Sequence, residues 1–203
     1  MTQSTINQNS FQTEIIRCGW VTKDPIYINY HDTEWGKPEL NNFHLFEMLC
    51  LEGQQAGLSW ITILKKREKY QQLFYSFNPH KISKMTYNDV TKLLNEPGIV
   101  RHKRKLEAII HNSKCYRKME SNGEEFSNFI WSFVNHEPIV NNWTNINEIP
   151  TETEISTTLS KALKKRGFKF VGPTTCYAFM QACGLVNDHV ISCCCRNRNN
   201  CIK

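Results

Sequence analysis

Apolar residues recur at helical spacing along most of the chain. Leu106, Ile109, Ile110 and Ser113 occupy positions i, i+3, i+4 and i+7, which is the pattern of one face of an α-helix. No segment shows the sustained alternation of apolar and polar positions that is typical of strands. The pattern predicts an all-α fold. The same helical spacing runs through segments 43–50, 60–77, 126–133 and 159–163.

Capping and breaking residues divide these helices. Asn41 precedes the first stripe as an N-cap, and Thr86 with Asp89 forms a capping-box pattern ahead of the next helix. Pro173 opens a last long helix, predicted over 174–183, and Gly184 ends it. These signals predict helices joined by short turns.

The remaining segments set the domain organisation. Residues 138–153 lack periodicity and are predicted to form a linker or extended loop. Residues 1–16 are polar and rich in Asn, Gln, Thr and Ser, so we expect a disordered tail. One helical domain is predicted over 17–195, followed by a C-terminal tail at 196–203.

Composition narrows the class of protein. Of 203 residues, 40% are hydrophobic, and 25 Lys and Arg against 19 Asp and Glu give a net charge of +6. No apolar run approaches the length of a membrane span, and the N-terminus lacks a signal-peptide core. We therefore expect a cytoplasmic monomer with no membrane partner. Nine cysteines, an odd number, argue against a full disulfide framework.

Basic residues cluster at three places, at 65–67, 101–105 and 161–169. Each cluster is either a solvated helix face or a contact for a polyanion. Segments 95–102 and 165–175 both have the form of a basic turn between two helices. In the second segment, Gly172 allows close approach of another backbone, and the N–H groups at the following helix N-terminus suit a phosphate. A helix-hairpin-helix motif and a plain turn both fit, because Phe170 stands where the motif usually has its first glycine.

Cysteine and histidine occur at matching positions near both ends of the chain. Twelve residues separate Cys18 from His31, and three separate His189 from Cys193. Two thiolates and two neutral imidazoles suit tetrahedral Zn²⁺ in structural sites. Residues 193–195 are all cysteine, so the spacing does not decide which of the three is the last ligand. Ordinary free thiols and a core histidine are the alternative.

A single acid stands among aromatic residues and glycines. Glu52 follows an apolar run and precedes a loop with Gly57, while Tyr27 and Tyr30 lie upstream and Trp60 downstream. Aromatic faces with one carboxylate suit a flat cationic ring, which they hold by stacking, cation–π attraction and a charged hydrogen bond. The alternative places the aromatic residues in the core and Glu52 on the surface.

Six segments carry a signal beyond spacing: RCGW at 17–20, YHDTEWG at 30–36, LEGQQAGLSW at 51–60, WSFV at 131–134, KKRGFKFVG at 164–172 and QACGLVNDH at 181–189. Together they resemble the bacterial 3-methyladenine DNA glycosylase I family, and the match runs from about residue 17 to 195. The resemblance implies a helix-hairpin-helix DNA glycosylase fold with a structural Zn²⁺ that joins the N- and C-terminal segments.

The resemblance also implies roles for individual residues. Glu52 would contact the methylated adenine, Tyr30 and Trp60 would stack on it, and Tyr27 would line the pocket. The implied zinc ligands are Cys18, His31, His189 and Cys193. The implied DNA contacts are the loop of Gly57 and Leu58, from which Leu58 would enter the duplex, and the hairpin residues Lys169, Gly172, Thr174 and Thr175, which would hold its backbone.

The implied activity is hydrolytic removal of 3-methyladenine from double-stranded alkylated DNA, with the free base as product. Relatives with lyase activity carry a lysine two residues after the hairpin glycine, where this chain has Thr174, so we expect no lyase activity. Asp188 lies roughly where many relatives carry an activating aspartate, but it adjoins His189 and equally suits a supporting role. A zinc-stabilised DNA-binding module and a zinc hydrolase are the rival interpretations.

Overall fold

The computed structural model describes residues 15–197. The predicted tails at 1–16 and 196–203 therefore fall almost entirely outside the described residues, as does Cys201. The helices within that range are α1 Pro25–Thr33, α2 Asn42–Gln55, α3 Trp60–Leu64, α4 Arg67–Leu73, α5 Pro79–Ile82, α6 Tyr87–Leu93, α7 Lys103–Ser121, α8 Phe126–Trp131, α9 Glu154–Lys165 and α10 Pro173–Ala182.

The all-α prediction is confirmed, with one small addition. Two-residue strands β1 (Ile139–Val140) and β2 (Val186–Asn187) pair in parallel, with Ile139 opposite Val186. Three 3₁₀ turns complete the described structure, at Tyr75–Phe77, Ser132–Val134 and Ile146–Glu148. None of the helices between residues 15 and 197 combines the length and apolar character needed to cross a membrane.

Helix α2 lies at the centre of the core. Its N-terminus is capped as predicted, because the Asn41 side chain accepts hydrogen bonds from the backbone N–H groups of Phe43 and His44 at 2.9 and 3.0 Å. Every residue from Leu45 to Gln54 is buried, and the helix packs against α10, α7 and α3. A helix enclosed on all sides brings any polar side chain it carries into the interior.

Helices α9 and α10 pack closely and form the second predicted hairpin. Phe170 adopts the left-handed conformation with φ +57°, so it takes the backbone geometry that glycine usually supplies. Asn112 on α7 fixes the turn: its Oδ1 accepts from the N–H of Lys169 at 2.8 Å, and its Nδ2 donates to the Lys169 carbonyl at 3.0 Å. The hairpin is therefore a rigid part of the fold.

One local prediction was wrong, and the structure decides between the two alternatives left open by another. The helical stripe at 60–77 is interrupted after α3 and again after α4, where the 3₁₀ turn Tyr75–Phe77 has positive φ angles. For residues 138–153, predicted as a linker or extended loop, the structure shows the loop: β1 pairs with β2, and the turn Ile146–Glu148 lies against the cavity described below. Both the breaks within 60–77 and the path of 138–153 depend on contacts with distant parts of the chain. The periodicity of a local sequence carries no information about such contacts.

Gly184 marks the closest backbone contact in this region. Its φ is +68°, and a Cβ there would lie 2.3 Å from the carbonyl carbon of Lys37. The two backbone segments also form a hydrogen bond nearby, where the Gly36 N–H donates to the Gln181 carbonyl at 3.1 Å. The end of α10 is thereby attached to the segment that follows α1.

We expect Gly184→Ala to lower the free energy of unfolding by more than about 3 kcal/mol, since left-handed strain and a backbone clash add together. Gly123→Ala is the matched control: its φ is +77°, but a Cβ would meet nothing within 4 Å. It should cost about 1 kcal/mol. Urea denaturation measures both, and equal losses would show that the close approach does not matter.

Candidate active site

A cavity of about 330 Å³ opens between α1, α2 and α10. Its volume lies in the range typical of small-molecule sites. All four residues predicted to bind the base lie in its wall. The wall consists of Trp20, Tyr27, Tyr30, Trp35, Glu52, Gln55, Trp60, Ile146, Ile149, Pro150, Thr151, Thr174, Tyr177, Ala178 and Gln181.

Glu52 is the single carboxylate of this wall. Its side chain is 5% exposed, and burial raises its pKa to about 8. Among residues 15–197, its Oε2 has no hydrogen-bond partner, and the same is true of Nε1 of the neighbouring Trp60. An unpartnered buried acceptor is costly in a folded protein, so a ligand that donates hydrogen bonds gains strongly by reaching it.

Aromatic rings form the sides of the cavity. Tyr30 is 3% exposed, and its ring centroid lies 5.5 Å from that of Trp60, with the two planes tilted by 49°. Trp20 packs against Tyr27 at 4.9 Å. Burial, with the nearby Glu52 carboxyl as a second cause, raises the pKa of both tyrosines, so both phenols are neutral. The rings present flat, electron-rich faces to whatever enters.

Of the residues predicted to contact DNA, Thr174 lies in the wall of this cavity, and the others lie in exposed or open segments outside that wall. Gln55, at the end of α2, and Thr174, at the start of α10, both line the wall. Leu58, in the loop after α2, is 41% exposed. Lys169 is exposed on the hairpin turn, and a Cβ added at Gly172 would meet nothing within 4 Å. A phosphate backbone can therefore approach beside the opening.

The four predicted metal ligands come together in a buried cluster. Sγ of Cys193 lies 3.4 Å from both Nε2 of His31 and Nδ1 of His189, and Sγ of Cys18 lies 3.4 Å from the same Nδ1. All four donor atoms are within 4.8 Å of one another. Zn–S and Zn–N bonds at tetrahedral angles place sulfur and nitrogen about 3.5 Å apart, so this donor set fits a tetrahedral metal ion.

Supporting contacts orient the two imidazoles. Nδ1 of His31 donates to the Asp32 carboxylate at 2.7 Å, and Arg17 donates to the same carboxylate in a two-pronged pair. The remaining nitrogen of His189 faces the Trp35 carbonyl at 3.3 Å. Fixing the outer nitrogen of each ring leaves the inner one as a lone-pair donor toward the cluster.

Asp188 is fully buried, and its carboxylate accepts four hydrogen bonds. Nδ2 of Asn141 and Nε1 of Trp143 donate to one oxygen, both at 2.7 Å. The Tyr177 hydroxyl and Nε2 of Gln181 donate to the other at 2.6 and 2.8 Å. A carboxylate engaged in this way is not placed to activate water. It holds Tyr177 and Gln181, two residues of the cavity wall.

Several wall residues had no role predicted from sequence. Trp20 and Gln181 lie in segments that carry the family resemblance, which is the signal that would have found them. Tyr177 lies one turn beyond Thr174 on the same helix, and spacing alone could have placed it near the hairpin. The contribution of Ile146 and Ile149 has no local signal, because it depends on how the segment at 138–153 folds back.

The chain matches the methyladenine glycosylase family model over residues 20–197. It is 63% identical over 179 residues to the DNA-3-methyladenine glycosylase 1 of Escherichia coli (strain K12), covering 88% of this chain and 96% of that protein. It is 60% identical over 180 residues to the DNA-3-methyladenine glycosylase of Haemophilus influenzae (strain ATCC 51907 / DSM 11121 / KW20 / Rd), covering 89% and 97%.

Solved structures show the same fold. A crystal structure of a 3-methyladenine DNA glycosylase I superimposes with a TM-score of 0.88 at 57% identity, over 89% of this chain and 99% of that one. A Staphylococcus aureus 3-methyladenine DNA glycosylase I, solved to explain 3-methyladenine recognition, gives 0.85 at 45% identity over 87% and 94%. The helix-hairpin-helix glycosylase fold predicted from sequence is therefore confirmed, and the chain belongs to the methyladenine glycosylase family.

Proposed function

We propose that this protein excises 3-methyladenine from alkylated double-stranded DNA by flipping the base into the cavity and hydrolysing its N-glycosidic bond. The observation that carries the proposal is the buried Glu52 carboxyl, unpartnered at Oε2 within the described chain and enclosed by aromatic rings. Relatives whose names specify this activity, and a neighbouring structure solved with this base as its subject, support the choice of substrate.

Recognition in this scheme rests on charge and shape. A nucleotide methylated at N3 carries a positive charge on its base, and Glu52 offers the one carboxylate in the cavity wall. The attraction is strong because the site is buried and its effective dielectric constant is low. Tyr30 and Trp60 stack on the ring, and Tyr27 closes the side. An uncharged adenine gains none of the ionic attraction.

Hydrolysis of this N-glycosidic bond needs little acid catalysis from the protein. The bond between N9 and C1′ breaks, and its electron pair returns to the purine and cancels the positive charge. Water adds to C1′ of the oxocarbenium-like sugar and releases a proton to solvent. Because the cationic base is already a good leaving group, the site contributes mainly by holding the flipped base and stabilising the separating charges. Flipping costs least for a damaged, poorly paired base.

The hairpin explains why we expect no lyase activity. Strand cleavage through a Schiff base needs an amine at the reacting sugar. Thr174 stands two residues after Gly172 and lines the cavity, and its hydroxyl cannot form that bond. The N–H groups at the start of α10 and the exposed Lys169 instead hold the phosphate backbone. Leu58 enters the duplex at the position that the base vacates.

We further propose that the Cys/His cluster binds a structural Zn²⁺ ion. Cys18, His31, His189 and Cys193 would hold it and leave no open position, so it supplies folding energy and no step of the reaction. One chain provides the cavity, the loop and the hairpin, which is why we expect a monomer. The substrate is chromosomal DNA, so we expect the protein in the cytoplasm.

Glu52→Gln should reduce kcat/KM for release of 3-methyladenine from methylated duplex DNA by at least about 100-fold, because the ionic contact is lost. In the wild type, kcat/KM should rise with pH through a midpoint near pH 8 and level off above about pH 9, since the ionised carboxylate binds the cation and its pKa in the free protein is about 8. Glu68→Gln, on an exposed residue, is the control. A flat wild-type profile from pH 6 to 9 would remove Glu52 from the mechanism.

The same carboxyl should make stability depend on pH. The unfolded chain releases this proton near pH 4.3, whereas the folded protein keeps it until about pH 8. Stability from this group therefore falls as pH rises between those values, by at most about 1.4 kcal/mol per pH unit. Glu52→Gln should gain stability over wild type between pH 5 and pH 8. Urea denaturation of both proteins at pH 5 and pH 8 tests this. A difference in unfolding free energy that is the same at the two pH values contradicts it.

Elemental mass spectrometry should find about one Zn²⁺ per wild-type chain. Cys18→Ala should lose the ion and unfold at a lower temperature, because structural zinc contributes folding energy. Cys50→Ala is the matched control, a buried cysteine on α2 outside the cluster, and should keep the ion. If a chelator stops turnover while the far-UV and near-UV spectra stay unchanged, the metal is catalytic and the proposal fails.

A further inference from the structure

Lys105, near the start of α7, is a buried lysine that binds the end of α2. Its side chain is 7% exposed, and its ammonium donates to the carbonyl oxygens of Gln54 at 2.8 Å and Ala56 at 2.6 Å. The last carbonyls of a helix have no partner within the helix, and the helix dipole favours a cation there. The ammonium therefore occupies the position that best fixes this helix end.

The contact is reciprocal, which makes it rigid. Nε2 of Gln54 donates to the backbone carbonyl of Lys105 at 2.9 Å. Oε1 of Gln54 accepts from the Tyr70 hydroxyl at 3.2 Å, and that hydroxyl accepts from the N–H of Val100 at 3.1 Å. The end of α2, the start of α7 and the turn before α7 form one connected hydrogen-bond network.

Stability alone does not explain a lysine at this place. Among the ion pairs formed within residues 15–197, none includes Lys105, and burial lowers its pKa. A buried charge without an opposite charge is costly, and an apolar side chain would often stabilise such a position equally well. A lysine at this position therefore points to a need for the geometry that its two hydrogen bonds impose on the end of α2.

The loop that follows α2 needs a fixed starting point, because it carries the exposed Leu58. Gly57 has a φ of +78° and no neighbour within 4 Å of where a Cβ would lie, and Leu58 is 41% exposed. The loop 56–59 is held at its first residue, where the Lys105 ammonium binds the Ala56 carbonyl. A side chain that is to replace a base in the stack must keep its position against the closing duplex.

We propose that Lys105 is a positioning residue for base flipping: its ammonium holds the carbonyls of Gln54 and Ala56 so that Leu58 enters the duplex at a fixed point. It is not a catalytic residue, because it does not line the cavity. The inference rests on the proposed function, in which Leu58 fills the space that the base leaves.

Lys105→Met tests this, with Lys103→Met as the matched control. Lys103 lies on the same helix and carries the same charge, but it is half-exposed and contacts Glu107 and Tyr87. The rate of excision is measured in single turnovers with saturating enzyme on methylated duplex DNA. The affinity for free 3-methyladenine is measured by quenching of tryptophan fluorescence.

Lys105→Met should lower the duplex rate at least about tenfold, because a small displacement of a positioned group is costly. It should keep the affinity for the free base within about twofold, since no group in the cavity wall is removed. Lys103→Met should change both quantities less than about twofold. A duplex rate equal to that of Lys103→Met overturns the proposal, and so does a parallel loss of free-base affinity, which would mean a general loosening of the site.

A double-mutant cycle shows whether Lys105 acts through Leu58. If it does, adding Lys105→Met to Leu58→Ala produces little further loss, whereas independent effects multiply. If the two substitutions lower the rate of excision from duplex DNA by independent factors that multiply, the proposal is wrong. If the methionine variant does not fold, Lys105→Arg replaces it in the same cycle, because its bulkier cation displaces the loop and should show the same dependence on Leu58.

The activity of the wild-type protein distinguishes a failure of this inference from a failure of the proposed function. If wild-type protein releases no 3-methyladenine from methylated DNA, the proposed function itself is wrong. If it releases the base and the cycle is additive, only the role of Lys105 is wrong.

Discussion

The site depends on the burial of α2 between Leu45 and Gln54. This part of the helix, packed against α3, α7 and α10, has no solvent-facing side, so Glu52 on the last turn is placed in the interior with its carboxyl against aromatic rings. Desolvation then raises the pKa of Glu52 to about 8. Surrounding packing maintains this unfavourable state, and in the proposed function a cationic base would supply the missing partner.

The Cys/His cluster and the cavity share a wall. Tyr30 and His31 are consecutive on α1, so one side chain faces the cavity while the next faces the cluster. The ring of Trp20 lies 5.3 Å from that of His31 and 6.4 Å from that of Tyr30. A metal held by the cluster would fix the two ends of the chain and, through α1, the orientation of the stacking tyrosine.

Helix α7 connects the two segments that we expect to contact DNA. Lys105 and Asn112 are seven residues apart, two turns along the same face of the helix. Lys105 holds the end of α2 and the start of its loop, while Asn112 holds the hairpin turn at Lys169. One rigid helix thereby sets the distance between the loop that we propose enters the duplex and the turn that we propose holds its backbone.

Features that depend on neighbouring residues were predictable from the sequence. Helical spacing indicated an all-α fold, Asn41 marked the start of α2, and Gly172 with Pro173 marked a turn before α10, although a plain turn fitted that pattern as well as a hairpin motif. These are local effects of capping, backbone freedom and periodicity. Family-specific segments then connected Glu52 with a chemistry that spacing alone left open.

Which polar groups are buried, and what they contact, depends on tertiary packing. Lys105 stands in a basic cluster that equally suited a solvated face, yet it packs under α2. The segment at 138–153 has no periodicity of its own, but it closes one side of the cavity, and Cys193 among three consecutive cysteines is the one that faces both histidines. These outcomes depend on contacts between residues far apart in the chain, whose energies a local pattern does not contain.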